Sequence, residues 1–245
     1  MSGLEEGSNP LLDLRVQLPP HPQYRPVDGL PESIAIIGAN PRSCHLAPTD
    51  GWQRWACSRR IIGMHADIWF EIHPLPWLLL KSEAWVDWLA GHPFVFMQKH
   101  NPEVPGSTPF PKDELLEEFG PYFFTSQVAW MLALAITKQP KRIGIWGVEM
   151  EIARDEVINA QIAITDTAAL EAARRILAGL DQAVDRELAL ANSLSDLSKA
   201  VGEYTYQRPG IQHFIQIARD RGIEVIVPGG CRIAEPPAPY RDWGV

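Results

Sequence analysis

Ser33-Ile34-Ala35-Ile36-Ile37-Gly38-Ala39-Asn40-Pro41 is a continuous apolar run closed by glycine, asparagine and proline. An unbroken apolar run of this length, without alternation, predicts a strand buried on both faces, which is the habit of parallel sheets. The glycine at its end lets the backbone turn tightly and brings N–H groups close to a ligand. A plain glycine turn is the simpler alternative. Gly38-Ala39-Asn40-Pro41-Arg42-Ser43 is not a G-x-G-x-x-G sequence, so the dinucleotide fingerprint is absent.

Working outward, the same pattern recurs. Arg54–Ser58 and Ile68–Ile72 read as the second and third strands, the latter ending at His73-Pro74. The spacing of Leu78, Leu79, Val86 and Leu89 predicts one helix over Trp77–Leu89, followed by a strand at Phe94–Met97. Gln98–Pro111 reads as a long proline-bearing loop, and loops of that length are often functional. An acidic helix over Lys112–Phe119 and a strongly apolar one over Gln127–Thr137 come next, with Thr125 or Ser126 as the cap of the second. Ile143–Val148 is the fifth strand, Ile211–Arg221 the last helix, stopped by Gly222, and Ile223–Pro228 the last strand.

Strands alternating with helices predict an α/β Rossmann-like domain over 33–245: a mostly parallel sheet with helices on both faces. Residues 1–32 are polar and rich in proline, and read as an extended or partly disordered arm. Residues 151–202 break the rhythm with helical spacing at Leu170, Ala173, Leu177, Leu180, Val184, Leu188 and Leu194. This inserted helical segment reads as a lid, a homo-oligomer contact, or a decoration packed on its own domain.

Composition narrows the partners. The 245 residues carry a net charge of −8, which argues against non-specific binding of duplex DNA, since phosphate neutralisation needs a basic footprint. No uninterrupted apolar run reaches the roughly 18 residues of a membrane span, and the first residues lack the basic and apolar regions of a secretory signal. The three cysteines, Cys44, Cys57 and Cys231, form no CxxC or Cys/His metal spacing and read as reduced thiols in a cytoplasm. Nine tryptophans, one of them in His73-Pro74-Leu75-Pro76-Trp77, suggest either aromatic walls around a cleft or ordinary core aromatics.

Ligands of parallel α/β sheets bind beyond the carboxyl ends of the strands. The polar residues of this chain gather there: Gly38 and Asn40, Cys57-Ser58, Glu71–His73, Gln98–Asn101 and Gly147–Glu149. Thr125-Ser126 opens the most apolar helix, where exposed N–H groups and two hydroxyls suit an anion, although every helix wants a cap. Glu149 is a candidate metal ligand, ribose partner or general base, but only Glu151 lies near it, so no carboxylate metal cluster is evident. His73, with Glu71 two residues before it, is a candidate for acid–base chemistry, against the alternative of a structural histidine. Glu203–Gly210 offers Tyr204, Tyr206, Gln207 and Arg208, all suited to sugar or phosphate recognition. There is no G-x-S-x-G elbow, Walker loop or HExxH motif.

The order IAIIGANPRS (34–43), RWACS (54–58), DIWFEIHP (67–74), YFFTSQVAWMLALAI (122–136), RIGIWGVEM (142–150), EYTYQRPG (203–210) and IEVIVP (223–228) resembles a family of phage- and prophage-encoded proteins of unassigned role. More distantly it is similar to bacterial sialyltransferases and to motility-accessory and pterin diphosphokinase-like proteins. That resemblance implies a Rossmann-like domain and a cytidine nucleotide sugar site. In it Gly38, Asn40, Thr125 and Ser126 contact the nucleotide, and Tyr204 and Tyr206 stand near the leaving phosphate. Glu149 stands where those families have aspartate, Cys57-Ser58 replaces a Cys-Asn pair, and no histidine matches the sialyltransferase base.

The reading is therefore a nucleotide-dependent transferase, foremost a glycosyltransferase using a nucleotide sugar. Its expected catalytic residues are His73, Glu149, Tyr204 and Tyr206, and its nucleotide-binding residues Gly38, Asn40, Ser58, Thr125, Ser126 and Arg208. No metal is assigned, the acceptor is open, and a magnesium requirement is not legible. The alternatives are a non-catalytic phage protein that sequesters or senses a nucleotide, and a host-interaction or structural protein acting through 151–202.

Overall fold

The computed structural model describes residues 30–150 and 206–234. The arm up to residue 29, the helical segment 151–202 and Tyr204 lie outside the described residues. Seven strands, all parallel, form one sheet: β1 (Ser33–Ile37), β2 (Gln53–Ala56), β3 (Ile68–Phe70), β4 (Val95–Met97), β5 (Ser107–Pro109), β6 (Arg142–Trp146) and β7 (Glu224–Ile226). The order across the sheet is β5-β4-β3-β2-β1-β6-β7. The fold is thus α/β and Rossmann-like.

The helices are α1 (Leu75–Lys81), α2 (Glu83–Ala90), α3 (Lys112–Phe119), α4 (Gln127–Thr137) and α5 (Arg208–Asp220). Successive side chains of a strand point to opposite faces, and β1 shows the result. Ile34 and Ile36 pack with α4 and α5 residues such as Leu132, Ile136, Ile211 and Phe214. Ala35 and Ile37 pack on the other face with Leu78 of α1 and Trp85, Val86 and Leu89 of α2. Because both faces are covered, β1 is buried at all five positions, as its unbroken apolar sequence requires.

Two expectations need correction. The stretch 98–111 is not wholly loop: it contains β5, which pairs with β4 at the sheet edge. Polar and proline-bearing, β5 is tolerated there because the outer side of an edge strand has no ladder to complete. The single helix expected over Trp77–Leu89 is two. Ser82, in extended conformation, ends α1 and caps α2 by accepting a hydrogen bond from the Trp85 N–H at 3.3 Å. Beneath these helices the tryptophans are mostly core: Trp69 meets Trp85 and Trp88 edge-on, with ring centroids 5.6 and 4.8 Å apart.

The connection from β1 to β2 carries only a 3₁₀ turn at Cys44–Leu46 instead of an α-helix. From β1 the chain lays β2, β3, β4 and β5 outward on one side, then returns to lay β6 and β7 on the other. The reversal falls between β1 and β6, the switch point at which open α/β sheets bind their ligands.

Candidate functional site

At that reversal, beyond the carboxyl ends of β1 and β6, lies a cleft of about 420 Å³. Its floor is the contact between two loops. Gly38, after β1, donates its N–H to the Trp146 carbonyl at 2.8 Å, and the Asn40 N–H donates to the Gly147 carbonyl at 3.0 Å. A Cβ on Gly38 would collide with the Gly147 oxygen and come within 2.7 Å of Val148 Cγ2, and one on Gly147 would collide with Gly38. Gly147 also has φ +68°, which L side chains rarely adopt. The glycine that closes the deciding strand is thus required by close packing of two backbone loops.

Ser43 ties those loops together. Its hydroxyl accepts the Gly147 N–H at 2.7 Å and donates to Glu149 Oε1 at 2.5 Å. Glu149 is 5 % exposed and lines the cleft, and its other oxygen, Oε2, has no hydrogen-bond partner. A buried acceptor left unmade costs about 1–3 kcal/mol, so an orphan of this kind asks for a donor. Met150 follows at φ +48°, and the Cys231 thiol holds Val148 from behind through its carbonyl at 3.1 Å.

The opposite wall is the start of α4. Ser126 is its N-cap, extended at φ −153°, and its hydroxyl accepts the Ala129 N–H at 3.1 Å. The first N–H groups of a helix, here those of Gln127 and Val128, have no intrahelical acceptor, and both residues line the cleft. The Gln127 side-chain amide donates to the Phe70 carbonyl at the end of β3. Asn40 Oδ1 accepts the Arg42 N–H at 3.0 Å, and the Ser58 hydroxyl accepts the Arg60 N–H at 3.3 Å. Arg60 is the cation among the described lining residues and Glu149 the anion.

The structure brings together Gly38, Asn40, Ser58, Ser126 and Glu149 as cleft-lining residues. It does not bring the others to that wall. Thr125 is exposed at the start of α4 and packs on Gly210 of α5, where a Cβ would collide with its hydroxyl. Arg208 is buried, 8 % exposed, in the first turn of α5, and Tyr206 is exposed beside it. Gln207, named with the Glu203–Gly210 cluster, lines the cleft, and Arg60 and Gln127 line it unforeseen. Gln127 stands immediately next to Ser126, and Arg60 is two residues beyond Ser58.

His73 lies at the end of β3, outside the residues lining the cleft. Its Nδ1 is 2.6 Å from Glu71 Oε1, and its ring stacks on Trp77 with centroids 4.7 Å apart. Glu71 Oε2 accepts the Trp85 indole N–H at 2.9 Å. The hydrogen bond from Glu71 raises the pKa of His73 above its ordinary value. The Cys57 thiol, which lines the cleft, is pushed up to about 12, first by burial and then by the Glu71 charge.

Among the described residues no cluster of three or more His, Cys, Asp or Glu is arranged to hold a metal, and no helix is long and apolar enough to cross a membrane. Cys44, Cys57 and Cys231 are free thiols. The chain matches no protein-family model, and no curated protein or solved structure matches it significantly.

Proposed function

We propose that the cleft at the β1/β6 reversal binds a nucleotide-type ligand, and that the protein is a nucleotide-dependent transferase, with nucleotide sugars the first donors to try. The observation that carries this reading is the buried, unpartnered Oε2 of Glu149, a residue that lines the cleft together with the N-terminus of α4. A carboxylate oxygen in need of a donor suits a sugar hydroxyl. The free N–H groups and positive dipole end of α4 suit a phosphate, with Arg60 adding charge. The Asn40 amide and Ser58 hydroxyl supply further hydrogen bonds. A phosphate alone would leave Glu149 repelled, whereas a sugar phosphate uses both walls.

A second reading, a protein that sequesters or senses a nucleotide without turning it over, is favoured by one fact. Of the described candidates for catalysis, His73 and Tyr206 do not line the cleft and Glu149 does.

The test is a thermal-shift and calorimetric screen of the full chain against nucleoside mono- and diphosphates and nucleotide sugars, with and without Mg²⁺. A ligand at about 100 times its Kd adds roughly 2.7 kcal/mol of apparent stability. A shift with one of these, lost in Glu149→Gln and Asn40→Ala, supports the site. Turnover of that ligand then separates transferase from sequestering protein. No shift with any of them overturns both readings.

A further inference from the structure

Three large aromatic side chains stand in solvent around the entrances of α4 and α5: Tyr122 is 74 % exposed, Tyr206 65 % and Phe123 44 %. Aromatic rings of this size are mostly buried in folded proteins, and exposed ones gathered at one place mark a contact surface. These belong to one corner of the molecule. The segment before α4 is pressed onto α5 so closely that a Cβ on Gly210 would collide with Thr125 Oγ1 and the Phe123 carbonyl. The Phe123 ring stacks on His213, with centroids 4.2 Å apart and planes 25° from parallel. Gly210 and His213 are three residues apart on α5, the spacing that sets residues along one side of a helix, and Tyr206 stands two residues before the helix begins.

The corner adjoins the cleft through its neighbours along the chain. Gln207, next to Tyr206, lines it, and so do Ser126 and Gln127, which follow the Tyr122–Thr125 segment. Phe123 is also held at φ +71°, a left-handed conformation that a bulky residue rarely takes. Backbone outliers of this kind gather at ligand clamps, where the surrounding structure enforces them. Here the enforcement is visible: the Thr125 N–H donates to the Phe123 carbonyl at 2.8 Å, and His213 packs against its ring. Burial lowers the pKa of His213, whose ring backs that of Phe123.

We infer that Tyr122, Phe123 and Tyr206 form a planar-ring subsite beside the cleft, on which the base of a nucleotide seated in the cleft stacks. The inference rests on the reading of the cleft given above and adds the part of the ligand that the cleft walls do not address. Glu149 and the start of α4 take the sugar and phosphate, and the aromatic corner takes the ring. Aromatic side chains stack on any base, each having a π face, so the subsite selects for the presence of a base more than for its identity.

Isothermal titration calorimetry on the full chain tests it, with ribose 5-phosphate as the base-free probe and nucleoside 5′-mono- and diphosphates as the complete ones. At least one nucleotide binds more tightly than ribose 5-phosphate. Tyr206→Ala and Tyr122→Ala weaken that nucleotide by about 5- to 150-fold and leave the ribose 5-phosphate Kd unchanged. Both tyrosines are exposed, so the variants keep the wild-type melting temperature. Phe123→Gly removes the ring and relieves the backbone, giving the same loss of nucleotide binding without loss of stability. Equal affinity for nucleotide and ribose 5-phosphate, or nucleotide binding untouched in all three variants, overturns the subsite and leaves the cleft standing. Binding of neither probe overturns the cleft reading and this inference together.

Discussion

Glu71 and Glu149 are near twins by position. Both follow the carboxyl end of a parallel strand, and they are buried to the same degree, 6 % and 5 % exposed. Their hydrogen bonds set them apart. Glu71 has both oxygens engaged, one by the His73 ring and one by the Trp85 indole. Glu149 has one oxygen held by Ser43 and the other held by nothing. A carboxylate whose acceptors are all filled by its own protein is a structural part, here one that fixes an imidazole. A carboxylate buried with an acceptor to spare carries a standing cost that a ligand removes. Burial alone does not tell the two apart.

The comparison can be broken at its geometric root. Gly38→Ala forces a methyl group into the Gly147 carbonyl and the Val148 side chain, separating the loops that seat Glu149. Overpacking of this kind costs about 3 kcal/mol, read as a lowered urea midpoint. An unchanged midpoint would mean that the loops part at little cost. Next in size, Glu71→Ala leaves the Trp85 indole N–H buried without its acceptor and destabilises by about 2 kcal/mol in the same assay. By contrast Glu149→Gln keeps stability within about 1 kcal/mol of the wild type, because it removes a charge whose second oxygen was unpaired. A loss comparable to that of Glu71→Ala would show that Glu149 is a structural acid after all.

The smallest effect is in the pH dependence. The pKa of His73 is raised in the folded protein by Glu71, so the folded state holds that proton more tightly than the unfolded chain does. The stabilisation is complete below the ordinary imidazole pKa and fades as pH rises through the raised value. Since the His73 side chain is half exposed, solvent screens the pair and the change is slight. Histidine ring resonances followed by NMR titration test it directly: the His73 midpoint lies above that of a free imidazole and drops in Glu71→Gln.

The sequence made legible those parts of the fold that rest on local pattern. Helices α3 and α4 fall at the residues expected from spacing and capping, and six of the seven strands overlap segments expected as strands. The seventh, β5, was hidden because Ser-Thr-Pro has no strand character of its own and pairs only because β4 leaves an edge open. The break at Ser82 could have been read, since serine before Glu83 and three residues ahead of a tryptophan is an N-cap signal, but the apolar spacing runs straight across it. At the site, strand ends and the helix cap pointed to Gly38, Asn40, Ser58, Ser126 and Glu149. Arg208 does not line the cleft, because the first turn of α5 takes it into the interior, which an arginine among tyrosines does not announce. No sequence pattern reports which oxygen of Glu149 is left over, as that depends on Ser43, 106 residues away.

One consequence of the helix-free link between β1 and β2 concerns timing. In doubly wound folds whose first strand runs straight into a helix, the anion grip is complete within a few dozen residues of chain. Here the helix wall waits for α4, the floor for Gly147 and the far rim for Gln207, so the cleft is drawn from segments spanning most of the described chain. The cleft is complete only once β6 has closed beside β1 and Gln207 has joined the rim, so it clasps the first and last parts of the sheet together.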